Sequence, residues 1–378
     1  MRHSETLLIV ADSDRDANML YAVGMFVPDP FIYLRLRGRS YVVVSDLEMD
    51  RARKQAPHCR VLSLRRYQDQ LRKDGVKNPG LARVIEAILR PRGIRRVVVP
   101  EDFPCGLAAD LRRRHVGVTP KRGPFFAERG HKSAAEVKKI SAALTMAEVG
   151  MAEAIQVLRA SKIAKDGRLT YHNVPLTSEK LRAVIDTAIL QASGSASHTI
   201  VAGGRQACDP HESGFGPLRA NEPIILDIFP RSQKTGYFGD ITRTVVRGRA
   251  SEAVQKLYDT VLRGQKLAFK KLRAGVRTVE VHQAVEEFFE KQGYKTGKRQ
   301  GRMEGFFHGT GHGLGLQIHE APRMGPHSTG RLEPGQVVTV EPGLYYPELG
   351  GGVRLEDVAL VTRNSPRNLT RFEKVLEI

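Results

Sequence analysis

Cysteine is scarce in this chain. Cys59, Cys105 and Cys208 are widely spaced over 378 residues, which excludes a disulfide framework or a zinc knuckle and fits a reduced, cytoplasmic setting. Long apolar runs are absent too: nothing approaches the roughly 18 residues that cross a bilayer. Met1–Thr6 leads straight into a strand-like stretch without the apolar core of a secretory signal, so no signal peptide and no membrane partner are expected. There is no repeat of solenoid period and no low-complexity tail. Acidic residues are in deficit, 41 against 60 Lys+Arg, for a net charge of +19. Such a surplus can steer a protein toward nucleic acid. Here it is spread over the whole chain, and clusters such as Arg65-Arg66, Arg112-Arg113-Arg114 and Lys298-Arg299 lack interleaved aromatics. A basic solvated surface is the reading, and nucleic acid is not expected as a partner.

What is present suits a soluble globular protein of two domains: 41% apolar and 27% charged residues in a chain long for one core. Residues 1–130 read as an α/β domain. Strand-like runs at Leu7–Val10, Tyr41–Ser45 and Arg96–Pro100 alternate with helical patterns at Asn78–Leu89 and Cys105–Arg114. Residues 131–378 read as α+β. Ser133 and Glu136 form a capping box ahead of a long amphipathic helix. Further helical patterns cover Glu179–Gln191, Ser251–Leu272 and Thr278–Lys291. Strand patterns cover Pro223–Phe229, Tyr237–Val246, Gln336–Tyr346 and Gly352–Thr362.

The second half carries the chemistry. Asp227 ends the buried-strand run Pro223–Leu226, and Asp240 follows thirteen positions later. A turn near Arg231–Lys234 would fold these strands into a hairpin and set two like charges together, which destabilises a sheet unless something neutralises them. His308, His312 and His319 recur among four glycines, which permit the close backbone approach that a small convergent site needs. Glu341 tops the apolar run Val337–Val340. Glu356 lies in Gly351–Val358, where strand alternation would place it on the face of Arg354 and allow a plain ion pair between the two. Four carboxylates and one imidazole converging in a core repel by many kcal/mol unless cations hold them. Two divalent ions would balance them.

These motifs, in this order, resemble the proline-specific branch of the pita-bread metallopeptidases, which includes aminopeptidase P and prolidase. The His308–Glu320 segment carries the histidine signature. Asp227, Gly236-Tyr237 and Asp240–Thr244 resemble the paired-aspartate hairpin, and Thr339–Tyr345 and Val353–Asp357 resemble the two glutamate strands. Residues 1–130 are similar, more weakly, to a creatinase-type N-terminal domain through Asp29-Pro30-Phe31 and Ser45–Glu48. The resemblance implies a creatinase-like α/β domain at 1–130 and a pita-bread catalytic domain at 131–378. It implies metal ligation by Asp227, Asp240, His312, Glu341 and Glu356 to two divalent transition-metal ions, manganese first, with cobalt or zinc as alternatives. The implied reaction is hydrolysis of the bond preceding proline by a hydroxide held between the ions. Glu341 would pass the proton, His211 contact the scissile peptide, His319 stabilise the oxyanion, His308 line the proline pocket and Arg354 position the substrate's far end.

The substrate implied is a peptide with proline second, cleaved by an Xaa-Pro aminopeptidase; an Xaa-Pro dipeptidase is the alternative. A homodimer is expected by the same resemblance. Creatinase itself lacks the five-ligand set. A non-catalytic peptide- or histone-binding relative would suit the basic surface but would have lost ligands. Two departures touch the pocket: Ile228-Phe229-Pro230 follows Asp227 where the family has a small residue, and Glu212-Ser213-Gly214 follows His211 in place of an aromatic.

Overall fold

The computed structural model of the protein describes residues 5–378, so the part of the N-terminal reading that rests on Met1–Ser4 lies outside the described residues. The chain divides into two compact units, one ending at Arg129 and the next beginning at Gly130.

The first unit is built on a six-stranded mixed sheet. Its order is Cys59–Ser63, Arg39–Val44, Phe31–Leu36, Leu7–Ala11, Arg96–Val99, Gly117–Pro120. The middle pairings are antiparallel and the flanking ones parallel. Side chains alternate across the pleat, so Leu8 and Val10 face one cluster with Ile85, Ile88 and Leu111, while Leu7 and Ile9 face another with Met19, Val23 and Ala52. Both faces are covered by helices, which is why the central strands read as continuous apolar runs. Three strands escaped the sequence reading. Phe31–Leu36 is interrupted by Arg35, and Cys59–Ser63 and Gly117–Pro120 are short flanking strands with one fully buried residue each.

The second unit opens with the helix Ala134–Ala160, whose Ser133–Glu136 capping box is formed as expected. By length and composition this helix could cross a membrane. Its apolar stripe, from Val137 through Leu158, is instead buried within the unit, against the helix Ser178–Gln191 and the adjoining sheet. That sheet has three antiparallel strands, Ile200–Gly203, Pro223–Ile228 and Ile241–Val246. Helices Glu252–Lys271 and Thr278–Lys291 share the largest core with a second antiparallel sheet ordered Glu320–Met324, Gly311–Gly313, Val337–Val340, Asp357–Leu360, Arg367–Asn368. A hairpin of Gly343–Tyr346 and Gly351–Arg354 joins the two sheets.

The long helix also braces the loop before Asp240. A Cβ on Gly239 would overlap the backbone of Ala143 and Leu144, so only glycine lets the loop lie this close. Gly239→Ala is therefore expected to destabilise the metal-free protein by about 1–3 kcal/mol, the usual cost of forcing atoms into a filled space. The urea midpoint of the chelated protein measures it; an unchanged midpoint would show that the helix does not brace this loop.

Candidate metal centre

The paired-aspartate hairpin forms. Pro223–Ile228 pairs with Ile241–Val246 so that Asp227 faces Thr242, and Asp240 leads into the second strand. The strand starts at Ile241 rather than Tyr237, because Tyr237–Asp240 belong to the turn held against the long helix.

The glutamates sit where two ladders break. Val340 pairs with Asp357 and Gly343 pairs with Arg354. The register is the same on either side, so one long hairpin is interrupted at Glu341-Pro342 and Leu355-Glu356. Pro342 has no N–H to give a ladder, which favours the break there. The freed backbone is caught elsewhere: the Glu341 N–H donates to the Thr310 carbonyl (2.8 Å) and the Glu356 N–H to the Thr242 carbonyl (3.0 Å). Both carboxylates thereby leave the sheet at one place.

His312 occupies the short strand Gly311–Gly313 between Glu320–Met324 and Val337–Val340. A Cβ on either flanking glycine would overlap a neighbouring carbonyl, Thr339 for Gly311 and Ala321 for Gly313. Its Nδ1 lies 3.1 Å from the Gly313 carbonyl, so the Nδ1–H donates there and Nε2 is turned toward the acids. Nε2 stands 3.2 Å from Glu341 Oε1 and 3.8 Å from Asp240 Oδ2. Ligand atoms of Asp240, His312 and Glu356 all fall within 4.8 Å of one another, the spacing of donors around an ion. All three residues are buried, and Asp227 and Glu341 are partly so.

Two threonines missed by the sequence reading orient the acids. Thr242 Oγ donates to Glu356 Oε2 (2.8 Å), and Thr339 Oγ accepts the His312 N–H (3.1 Å) and donates to Glu341 Oε1 (3.2 Å). Each stands two residues from a candidate ligand just beyond the end of its strand, Thr242 after Asp240 and Thr339 before Glu341, a spacing that could have flagged it. Arg354 does not pair with Glu356 as alternation suggested. The ladder breaks between them, and Arg354 Nη2 reaches Asp227 Oδ2 at 2.7 Å while Nη1 reaches the Tyr345 hydroxyl at 3.0 Å. The other Asp227 oxygen, Oδ1, is buried with no hydrogen-bond partner. A carboxylate oxygen left so is costly, and a cation is the partner its chemistry fits.

His308 completes a chain from that arginine. Its Nδ1 is 2.8 Å from the Gly309 carbonyl and its Nε2 is 2.8 Å from the Tyr345 hydroxyl. Burial holds His308 below its usual pKa, so the neutral ring accepts from the tyrosine. Burial also lowers His319, helped by His312 and Arg323, to about 4, and its ring meets that of His312 edge-on at 4.4 Å. His211, His308, His319, Arg354 and all five candidate ligands line one cavity of about 800 Å³. Phe229 and Arg323 line it as well; Arg323 is a residue that the sequence reading overlooked.

The electrostatics are those of a site short of positive charge. Burial, then the charge of Asp227, push Asp240 well above the carboxylate range; burial, then Asp240, do the same to Glu356. Burial also raises Glu341, but the His312 hydrogen bond and charge win and hold it down to about 2. His312 answers in kind: burial would lower it, yet the Glu341 and Asp240 carboxylates raise it.

Residues 138–363 match the model of metallopeptidase family M24. The chain belongs to that family. Among other M24-like proteins, it is 34% identical over 186 residues to an Xaa-Pro dipeptidase of Pyrococcus furiosus, a match covering 49% of this chain and only 50% of that one. It is 28% identical over 290 residues to an Xaa-Pro dipeptidase of Pyrococcus horikoshii, covering 75% of each. The X-Pro aminopeptidase of Thermotoga maritima superposes with a TM-score of 0.82 at 21% identity over 99% of this chain and 97% of that one. At that identity the likeness speaks to the fold alone: an N-terminal α/β domain followed by an α+β pita-bread domain, as the motifs implied.

The raised acids give the M24 site a pH signature. A carboxyl raised in the folded state holds its proton more tightly there. Its stabilisation is full below the unfolded value of about 4 and is lost as pH rises through the folded one. The chelated protein should therefore lose thermal stability from pH 5 to pH 8 more steeply than an Asp240→Asn/Glu356→Gln variant, and added Mn²⁺ should remove the difference. Equal slopes in the chelated wild type and the variant would mean that these carboxyls are not held protonated.

Proposed function

We propose that this M24 protein hydrolyses the peptide bond preceding proline, with two divalent cations held by Asp227, Asp240, His312, Glu341 and Glu356. The observation that carries the reading is the unpartnered, buried Asp227 Oδ1 beside a cluster in which Asp240 and Glu356 crowd against His312 Nε2. Mixed imidazole and carboxylate donors suit manganese, cobalt or zinc over magnesium or calcium. Ions bound there would supply an acidified water and polarise the scissile carbonyl. The chain's own groups do the rest. Glu341, partly buried at the cavity wall, takes up a proton and delivers it to the departing proline nitrogen. His319, neutral at working pH, donates to the oxyanion that develops on the carbonyl, worth roughly 3–4 kcal/mol when well aimed. His211 contacts the scissile peptide and His308 lines the proline side, both from the cavity wall. Arg354, tied to Asp227 and Tyr345, orients a ligand carboxylate and leaves substrate binding to other groups; this departs from the role its motif implied.

Within that activity the dipeptide is the favoured substrate. The motifs alone leaned to longer Xaa-Pro peptides. Two observations support this reading: the relatives described above are Xaa-Pro dipeptidases, and Arg323 lines the cavity, where its guanidinium can pair with the free carboxylate of a dipeptide.

Protein loaded with Mn²⁺, Co²⁺ or Zn²⁺ is expected to bind two ions per chain and to cleave Gly-Pro faster than Xaa-Pro tripeptides. His312→Ala or Glu356→Ala should abolish turnover while leaving the N-terminal unit folded by circular dichroism. Wild-type turnover in either variant would sink the catalytic assignment. Arg323→Ala should raise KM for Gly-Pro at least 10-fold, the scale of a lost charged contact, and change KM for a tripeptide amide little; equal effects on both would return the reading to an aminopeptidase.

A further inference from the structure

The loop that carries Ile318 and His319 is closed around a buried carboxylate. Glu320 Oε1 accepts the Gln317 N–H at 3.1 Å, and the Gly315 N–H reaches the Gln317 carbonyl at 3.2 Å. A Cβ on Gly315 would stand 2.6 Å from Glu320 Oε2, so the carboxylate fills the inside of the turn. Its charge is met by Lys132, whose Nζ lies 2.8 Å from Glu320 Oε2; the two side chains are 1% and 7% exposed. Lys132 comes from 188 positions earlier, immediately before the capped helix Ala134–Ala160, and its own N–H is fixed on the Gly335 carbonyl at 2.7 Å. The same helix start grips the other side of the centre, because Glu136 accepts from the Tyr237 hydroxyl at 2.9 Å in the turn that leads to Asp240.

A buried ion pair is a poor source of net stability but a strict one in geometry, since removing one partner strands a charge at a cost of about 3–5 kcal/mol. We infer that Lys132 is a positioning residue: through Glu320 it fixes the turn that aims His319 at the reacting carbonyl. The inference rests on the proposed peptidase reading for its kinetic consequence, but the clamp itself can be observed without turnover.

The test compares Lys132→Met with Lys132→Met/Glu320→Gln, which carries no buried charge and keeps the acceptor for the Gln317 N–H. Hydrogen exchange in peptides spanning Gly313–Glu320 should quicken about 10-fold in Lys132→Met and return toward wild type in the double variant. In Mn²⁺-loaded protein, Lys132→Met should lower kcat for Gly-Pro about 10–100-fold, the scale of a misplaced group, with KM and metal content unchanged. The double variant should recover much of the loss. In a His319→Ala background the Lys132 substitution should cost nothing further. Unaltered exchange, or a kcat loss that multiplies with that of His319→Ala, overturns the inference. Should Lys132→Met fail to fold, the double variant decides: a protected loop supports the clamp, and a loop exchanging freely overturns it. If the wild type cleaves no Xaa-Pro substrate, the functional reading falls, and exchange still decides the clamp.

Discussion

Four carboxylates want to be apart, and the second unit of this protein forces them together. Asp227, Asp240, Glu341 and Glu356 line one cavity, where the His312 imidazole stands beside Asp240 and Glu341 and Arg354 bonds Asp227. In the bare protein the repulsion is relieved by protons, which is what the raised Asp240 and Glu356 record. Folding around such a site makes sense only where cations replace those protons, and much of the local architecture serves that exchange.

That architecture consists of interruptions. One long hairpin keeps its register between the arms Val337–Tyr346 and Gly351–Leu360, yet skips a beat at Glu341-Pro342 and Leu355-Glu356. A continuous ladder would have sent alternate side chains to opposite faces. The break lets both glutamates turn to one side while Thr310 and Thr242 take up the freed N–H groups. The buried guanidinium of Arg243 secures the same region from behind. It bonds the Glu356 carbonyl (2.6 Å), Asp357 (2.9 Å) and the Phe372 carbonyl (2.7 Å), so the C-terminal segment locks the strand that bears Glu356.

Of the two departures from the resembled pattern, one reaches the cavity: Phe229 lines it, whereas Glu212-Ser213-Gly214 do not. Phe229 stands where relatives of the resembled branch have a small residue, and it lines the cavity beside Asp227. The ligand side chains themselves are carried by paired strands, by strand ends and by the break between ladders, all held by backbone hydrogen bonds. Phe229 sits on a loop, where changes in shape cost less, while Arg323 is held in the strand Glu320–Met324.

The sequence by itself determined the donors and their order: carboxylate after an apolar run, histidine among glycines, glutamate before proline. Those are local statements, and local physics suffices for them. It also determined the capping box at Ser133 and the long helices, whose periodicity needs only near neighbours. Two edge strands of the first unit, Cys59–Ser63 and Gly117–Pro120, escaped it because short flanking strands take their shape from partners far along the chain. The partner of Arg354, the two orienting threonines, Arg323 in the cavity and Lys132 on Glu320 were decided only by the tertiary structure. Each of those contacts joins separate strands or loops, up to 188 positions apart, and no pattern within a segment encodes a distance that the whole fold must close.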